Sequence, residues 1–378
     1  MKTICLISGS SPKFLGGISL YQRNLIEYAK KKKLDLDFTW IYPGGRDREY
    51  NLEGIKCIEL KSFRYPILKE FNFAKKVEKV LETGKFDIIN THANWGYCMK
   101  EYIKKKDQKI IHTYHGVTFS YMKIQFEKFG FLKYLFYPLL PLFYLIEKPP
   151  IKKADKIICV SEKVKRGLEQ LYGKRGNLKV IRTGINLPQF KKLSKEKSRK
   201  NLWLEREKIY GLYSGRGGYW NKGLDRAISL GKELYKKNRE FRLIVIGADK
   251  NKCKKYLQEE FVIYRGIIER KDISKYYSTC DFFFFLSRYE GGAPTLALSE
   301  AIASKCLAIC SKDSNPEILI NEKDCLILEK YRKEEAEKIF NLLMNKKKIN
   351  SMKNSAKNEI KNLSLKKFGG KYFEVLLK

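Results

Sequence analysis

The chain reads as an α/β protein made of two Rossmann-like domains, each built on a parallel sheet. Short apolar runs alternate with longer amphipathic segments along the whole sequence. The runs are apolar on both faces, as strands covered by helices on either side must be. They fall into two sets of six, and 378 residues suffice for two domains of ordinary size.

In the first set the strands are expected at 3–8, 37–42, 86–90, 109–114, 156–160 and 178–182. In the second they are expected at 209–215, 242–247, 261–264, 281–286, 306–310 and 325–328. The stretch 187–201, rich in lysine and serine, is the expected linker. Domains are therefore expected at 1–186 and 202–360, with residues 361–378 forming a C-terminal helix that packs back on the first domain.

Composition narrows the function classes. Hydrophobic residues make up 43% of the chain, enough for real cores. Nine scattered cysteines, several inside apolar runs (Cys5, Cys159, Cys310) and none in a CxxC pair, fit a reduced cytoplasmic protein. Met1-Lys2-Thr3 leads straight into Ile4-Cys5-Leu6-Ile7, and no signal peptide is read there. The net charge of +36 is spread evenly, +18 over residues 1–190 and +18 over 191–378. Nucleic-acid binding concentrates charge on one face, so no nucleic-acid partner is expected. Attraction to an anionic membrane leaflet is, because the summed field is long-ranged.

One segment breaks the alternation. Residues 125–146 are apolar and aromatic, and 134–146 carry no charge. This is shorter than the roughly 20 residues that span a bilayer, and Pro138 and Pro141 interrupt it. Lys123, Lys128 and Lys133 precede it; Lys148, Lys152 and Lys153 follow. An interfacial docking element is expected, with Tyr134, Phe136, Leu139, Leu140 and Phe143 toward lipid. A helix of the first core, or an oligomer contact, is the other reading.

The chemistry is read at strand ends. Ser287-Arg288-Tyr289-Glu290-Gly291-Gly292-Ala293-Pro294-Thr295 follows the run 281–286 and opens a helix containing Glu300. Open α/β sheets bind ligands at that edge, and helix N-termini there favour phosphate. A carboxylate in that position suits sugar hydroxyls. Gly16-Gly17 opens a helix after the first strand, and close backbone approach needs such residues. Gly215-Arg216 follows a strand, with Lys222-Gly223 six residues beyond Arg216; two cations there suit a diphosphate. All three histidines, His92, His112 and His115, fall within 24 residues. Their spacing is not that of a metal motif, so they are assigned to substrate, and no metal site is expected.

These features resemble the retaining GT-B glycosyltransferases of the family 4 type, over nearly the whole chain. The carrying motifs are Gly16-Gly17, Thr113-Tyr114-His115-Gly116, Ala154-Asp155-Lys156-Ile157-Ile158-Cys159-Val160-Ser161, Arg182-Thr183-Gly184-Ile185-Asn186, Gly215-Arg216 with Lys222-Gly223, and Glu290-Gly291 with Glu300-Ala301. The resemblance implies two domains facing a central cleft, no cofactor, and a UDP- or GDP-sugar donor that needs no metal. It implies donor binding by Gly16, Gly17, Gly215, Arg216, Lys222, Gly266, Glu290, Gly291, Gly292, Ala293, Pro294, Thr295 and Glu300. His115, Glu290, Arg216 and Lys222 carry catalysis, and His92 and His112 lie on the acceptor side. The acceptor is a glycan or a lipid-linked group, in cell-surface polysaccharide, lipopolysaccharide or glycolipid synthesis at the inner face of the membrane. The chain departs from the family in one respect. Seven residues usually separate the two acids; here nine separate Glu290 from Glu300, and Leu298 holds the usual place. Either the glycine loop is two residues longer, or the second acid stops short of the ribose. A GT-B-like epimerase, a nucleic-acid-binding protein and a non-catalytic interaction protein are the competing readings.

Overall fold

A computed structural model describes every residue except Leu15, Arg64, Pro66, Lys191, Lys192, Gly217, Gly218 and Asn315. The chain divides into two units. Unit 1 is Met1–Gly184 together with Leu365–Lys378, and unit 2 is Ile185–Ser364.

Unit 1 contains β1 (Lys2–Ile7), α1 (Gly17–Lys31), β2 (Leu36–Gly44), β3 (Arg48–Leu52), β4 (Ile55–Lys61), α2 (Leu68–Thr83), β5 (Ile88–His92), β6 (Lys109–Tyr114), α3 (Thr118–Glu127), α4 (Lys133–Phe136), α5 (Leu140–Lys153), β7 (Lys156–Cys159), α6 (Glu162–Tyr172) and β8 (Leu178–Val180). Its eight-stranded sheet runs β3-β4-β2-β1-β5-β6-β7-β8. All pairings are parallel except β3 with β4. The expected six strands are present, and a hairpin adds two more at one edge. Its turn is Glu53-Gly54, both at positive φ (52° and 76°), the two-residue geometry whose twist matches antiparallel strands.

Unit 2 contains α7 (Lys195–Asn201), β9 (Ile209–Ser214), α8 (Leu224–Lys237), β10 (Phe241–Ile246), α9 (Lys250–Leu257), β11 (Val262–Gly266), α10 (Ile273–Thr279), β12 (Phe282–Phe285), α11 (Leu296–Ala303), β13 (Leu307–Ser311), β14 (Leu326–Leu328), α12 (Lys333–Met344) and α13 (Lys346–Ile360). Its six strands run β11-β10-β9-β12-β13-β14, all parallel. Strand β12 shows why such a sheet needs apolar residues at every position. Phe282 and Phe284 join the core under one face with Leu243 and Ile309, while Phe283 and Phe285 join the other with Ile244 and Cys310. Burying each ring is worth roughly 1.5–3 kcal/mol.

The stretch 187–201 is not a free linker. Phe190 and Arg199 are buried, and Arg199 and Lys195 both bind Asp281 at the foot of β12, at 3.1 and 2.5 Å. Apolar and ionic anchors hold its described residues in unit 2; Lys191 and Lys192 lie outside the described residues. Helix α14 (Leu365–Leu377) returns to unit 1, burying Phe368, Tyr372, Phe373 and Leu376 in the same core as Tyr21 and Ile158.

Segment 125–146 divides its residues between inside and outside. Phe126, Leu140 and Phe143 form a buried cluster, flanked by Ile67, Met122 and Phe136. This corrects the expectation that Phe136, Leu140 and Phe143 face outward: the turns of α4 and α5 point them toward Phe126 of α3, with Phe136 partly buried. The outward set is Phe129, Phe131, Leu132, Tyr134, Leu135, Leu139, Leu142 and Leu145, with Phe131 84% and Leu135 73% exposed. Among the described residues, no helix is long and apolar enough to cross a membrane.

Candidate functional site

In unit 2 the strand order reverses between β9 and β12, and open α/β sheets take ligands at the C-terminal edge of such a switch point. The loop 215–223 follows β9, and the loop 287–295 follows β12. Gly223 sits at φ +71°, and a Cβ there would lie 2.1 Å from the Leu286 carbonyl oxygen. Only glycine permits this approach. It brings Lys222 against the end of β12, where its Nζ lies 2.6 Å from Glu290 Oε1.

Arg288 stitches the two loops together. Its guanidinium donates to both oxygens of Asp225 on α8, at 2.8 and 2.6 Å, and to the Trp220 carbonyl at 2.5 Å. It also stacks over the Trp220 ring at 3.5 Å, and its backbone N–H donates to the Asn221 carbonyl at 2.9 Å. Such a planar, forked contact is specific to arginine. Arg288, Asp225 and Trp220 were given no role from sequence. The signal lay in Arg288, two residues before Glu290, and an acid in the first turn of the facing helix.

The other expected donor residues occupy the same sheet edge. Gly215 and Arg216 lead out of β9, and Gly266 closes β11, its carbonyl accepting from Gly247 N–H at 2.7 Å. Gly291, Gly292, Ala293 and Pro294 run to Thr295, whose Oγ1 caps α11 by accepting from Leu298 N–H at 3.4 Å. Glu300 lies a turn into α11, buried, with Oε1 2.5 Å from Arg270 Nη2. Burial pushes its carboxyl above the ordinary range, while Arg270 pulls it down. Arg270, another residue not anticipated, packs its guanidinium 4.8 Å over the Phe190 ring.

In unit 1, Gly16 precedes α1 in extended conformation and Gly17 begins the helix; Leu15 lies outside the described residues. Strand alternation separates the histidines. His92 pairs in register with Thr113, and His112 with Thr91, so the two rings fall on opposite faces. His112 is fully buried beside Gly96 and Pro150, its Nδ1 2.6 Å from Thr91 Oγ1. It is a core residue, not an acceptor contact. His92 is also fully buried, with Nε2 3.0 Å from Asn90 Oδ1 and Nδ1 3.0 Å from His115 Nε2. It supports His115 and touches no surface. His115 is half-buried, edge-on to Tyr21, and burial pushes its imidazole down to about 3.

Family models account for both units. Glycosyltransferase Family 4 matches residues 15–189, and Glycosyl transferases group 1 matches residues 194–359. The chain belongs to the GT-B glycosyltransferases of the family 4 type. Solved structures of this glycosyltransferase fold align over almost its whole length. Sucrose-phosphate synthase from Thermosynechococcus elongatus superposes with a TM-score of 0.84 at 18% identity, covering 99% of this chain and 98% of that one. WaaG, a glycosyltransferase involved in lipopolysaccharide biosynthesis, gives 0.78 at 14% identity, covering 99% of both chains. Anabaena HepE in complex with UDP-glucose gives 0.75 at 15% identity, covering 100% of both. Among curated relatives, an uncharacterized protein of the Klebsiella pneumoniae cps region is 24% identical over 56% of this chain and 57% of its own length. The alpha-monoglucosyldiacylglycerol synthase of Streptococcus pneumoniae is 26% identical over 73% of this chain and 64% of its own length. The chain thus spans less than two-thirds of these two relatives.

Proposed function

We propose that this glycosyltransferase moves a hexose from a UDP- or GDP-sugar to a lipid-linked or glycan acceptor, with retention, at the inner face of a membrane. The observation that carries the donor half is the Lys222–Glu290 couple at the switch point of unit 2. The departing nucleoside diphosphate gains charge in the transition state, and preorganised cations lower that barrier. Lys222 and Arg216 supply them, so no divalent ion is demanded; the amides of residues 291–295 assist. In unit 2 Glu290 is assigned to the sugar and Glu300, shared with Arg270, to the ribose; in unit 1 the amides of Gly16 and Gly17 are assigned to phosphate and His115 to a substrate hydroxyl. HepE, solved with UDP-glucose, supports the choice of donor.

The acceptor half rests on the outward residues of 129–145, whose buried side packs against Ile67; Phe63, Tyr65 and Leu68, near Ile67 in sequence, are exposed as well. Lys123, Lys128, Lys152 and Lys153 are exposed around it. Apolar burial and headgroup attraction then add. The Streptococcus relative, an alpha-monoglucosyldiacylglycerol synthase, and WaaG, involved in lipopolysaccharide biosynthesis, support a lipid-borne acceptor.

The test is a panel of UDP- and GDP-sugars, screened first for thermal stabilisation and then for transfer in the presence of EDTA. Stabilisation by one donor, and an α-linked product from an α-linked donor, are expected. Release of an epimerised sugar without transfer would overturn the reading. Arg216→Ala and Lys222→Ala should each lower transfer by roughly a hundredfold or more. For the membrane, Phe131→Ser with Leu135→Ser and Leu142→Ser should release the protein from anionic vesicles while leaving the buried cluster whole. A folded triple variant that stays bound would remove this face from the docking role.

A further inference from the structure

Five residues of unit 1 form one hydrogen-bonded chain that the reading above leaves unused. It begins on α14 and ends at His115. Thr113 Oγ1 lies 2.8 Å from Tyr372 Oη, and Tyr372 donates to Asn90 Oδ1 at 2.8 Å. The same Oδ1 lies 3.0 Å from His92 Nε2, and His92 Nδ1 lies 3.0 Å from His115 Nε2. Tyr21 packs edge-on against His92, His115 and Tyr372 and walls the chain off.

The direction of every proton follows from one end. Asn90 Nδ2 donates to the Ile111 carbonyl at 3.1 Å. A carbonyl can only accept, so the amide cannot be turned the other way. Oδ1 therefore faces both Tyr372 and His92, and must accept from each. Having given its proton to Asn90, Tyr372 accepts from Thr113. His92 must carry its proton on Nε2. Burial, reinforced by the neighbouring imidazoles, holds His92 well below its ordinary pKa, so the ring is neutral and its Nδ1 is a bare acceptor. His115 must then donate from Nε2, and it too is neutral at pH 7 because burial lowers it to about 3.

We propose that Asn90 and His92 are positioning residues that lock His115 in its Nε2–H tautomer, leaving it a lone pair on Nδ1 that takes a substrate hydroxyl and turns away a phosphate oxygen. The tautomer is a property of unit 1 alone. The choice of a sugar hydroxyl rests on the donor assignment above. A neutral acceptor cannot stabilise an anion, and no described residue bonds His115 Nδ1. The oriented ring is in this respect like a metal-bound histidine whose tautomer is set by the partner of its other nitrogen.

The chain has only three histidines, so the full-length protein labelled with 15N-histidine gives three resolvable imidazoles. In the free protein, both His92 and His115 should show a protonated Nε2 and a bare Nδ1. A protonated Nδ1 on His115 overturns the proposal outright. Asn90→Ala removes the acceptor that fixes His92; it should introduce the second tautomer at His115 and raise KM for the donor severalfold, whereas Tyr372→Phe, which leaves Asn90 bonded to the Ile111 carbonyl, should not. An unchanged His115 spectrum in folded Asn90→Ala overturns the lock. Finally, the wild-type protein is titrated with UDP alone and with the donor sugar nucleotide found by stabilisation. The His115 Nδ1 signal should shift with the sugar nucleotide and not with UDP. An equal shift with UDP alone means phosphate contact and overturns the hydroxyl assignment. If no nucleotide sugar stabilises the protein, the donor reading fails while the free-protein spectrum still decides the tautomer.

Discussion

Lys222 and Glu290 hold each other at 2.6 Å across the two loops of the unit 2 switch point. The cation assigned to the diphosphate and the acid assigned to the sugar are thus bonded before any donor arrives. On that assignment a diphosphate reaching Lys222 would compete with the carboxylate and, in winning, would free Glu290 for the sugar. Glu290→Gln removes the competitor. It should tighten UDP binding severalfold while lowering transfer about a hundredfold. Calorimetric titration reads the first and single-turnover transfer the second. Weaker UDP binding in Glu290→Gln would show that Lys222 does not meet the diphosphate.

Arg288 acts on that couple from outside it. Arg288→Ala removes the fork on Asp225 and the stack on Trp220 together. Breaking a well-buried pair from one side typically costs about 3–5 kcal/mol; this pair is mostly buried, so about 2–3 kcal/mol is expected in denaturant unfolding of unit 2. Exchanging the charges, Arg288→Asp with Asp225→Arg, should recover part of the loss. If single and double variants are equally unstable, the fork is not what joins the loops.

For Glu300 the ion pair with Arg270 separates two roles. As a ribose ligand, Glu300→Gln should weaken UDP binding tenfold or so, with little loss of stability. As a structural acid it should do the reverse. Arg270→Ala strands a buried carboxylate and should destabilise unit 2 more than Glu300→Gln does, and the double variant should be milder than Arg270→Ala alone. Additive losses would mean that the two groups do not depend on each other.

Glu147 on α5 gives a pH prediction. Its Oε1 accepts the Thr118 N–H at 2.7 Å, yet burial dominates and pushes the carboxyl up to about 7. The folded pKa is raised above the unfolded value of about 4.3. The group's stabilising contribution is therefore complete below that value and is lost as pH rises through about 7. Glu147→Gln keeps the acceptor and cannot ionise. Its stability relative to wild type should grow between pH 4.3 and 7 by about 1.4 kcal/mol per unit, then level off. A pH-independent difference would place Glu147 in contact with solvent.

What could be read beforehand follows physical lines. The phenylalanine run of β12 is legible because burial on both faces leaves no polar position to confuse it. The β3–β4 hairpin is not, since Arg48, Glu49 and Asn51 face solvent at a sheet edge and resemble a loop. The stretch 187–201 has a linker's composition, and its two anchors, Phe190 and Arg199, become visible only when Asp281 and the core meet them. Within 125–146 nearly every residue is apolar, so periodicity cannot separate Phe143 from Leu142. That Gly215, Arg216 and Glu290 sit at strand ends of unit 2 is legible from their place after apolar runs. Arg288, Arg270 and Tyr372 escaped because their partners are distant in sequence. His112 escaped because one residue's shift along a strand turns a ring to the other face, and His92 because its burial depends on Asn90 and His115 packing against it.

The return of α14 to unit 1 bears on how the protein is made. On the ribosome the first 184 residues emerge without Tyr372, Phe373 and Leu376, which complete their core. At roughly 5–20 residues per second, all of unit 2 must be synthesised before those side chains arrive, a delay of roughly 10–40 seconds. Unit 2 is continuous in sequence and can close as soon as it is out. The second unit made is therefore free to finish first, and during the interval the nascent first unit offers an open apolar groove beside Tyr21 and Tyr28 that a chaperone can cover.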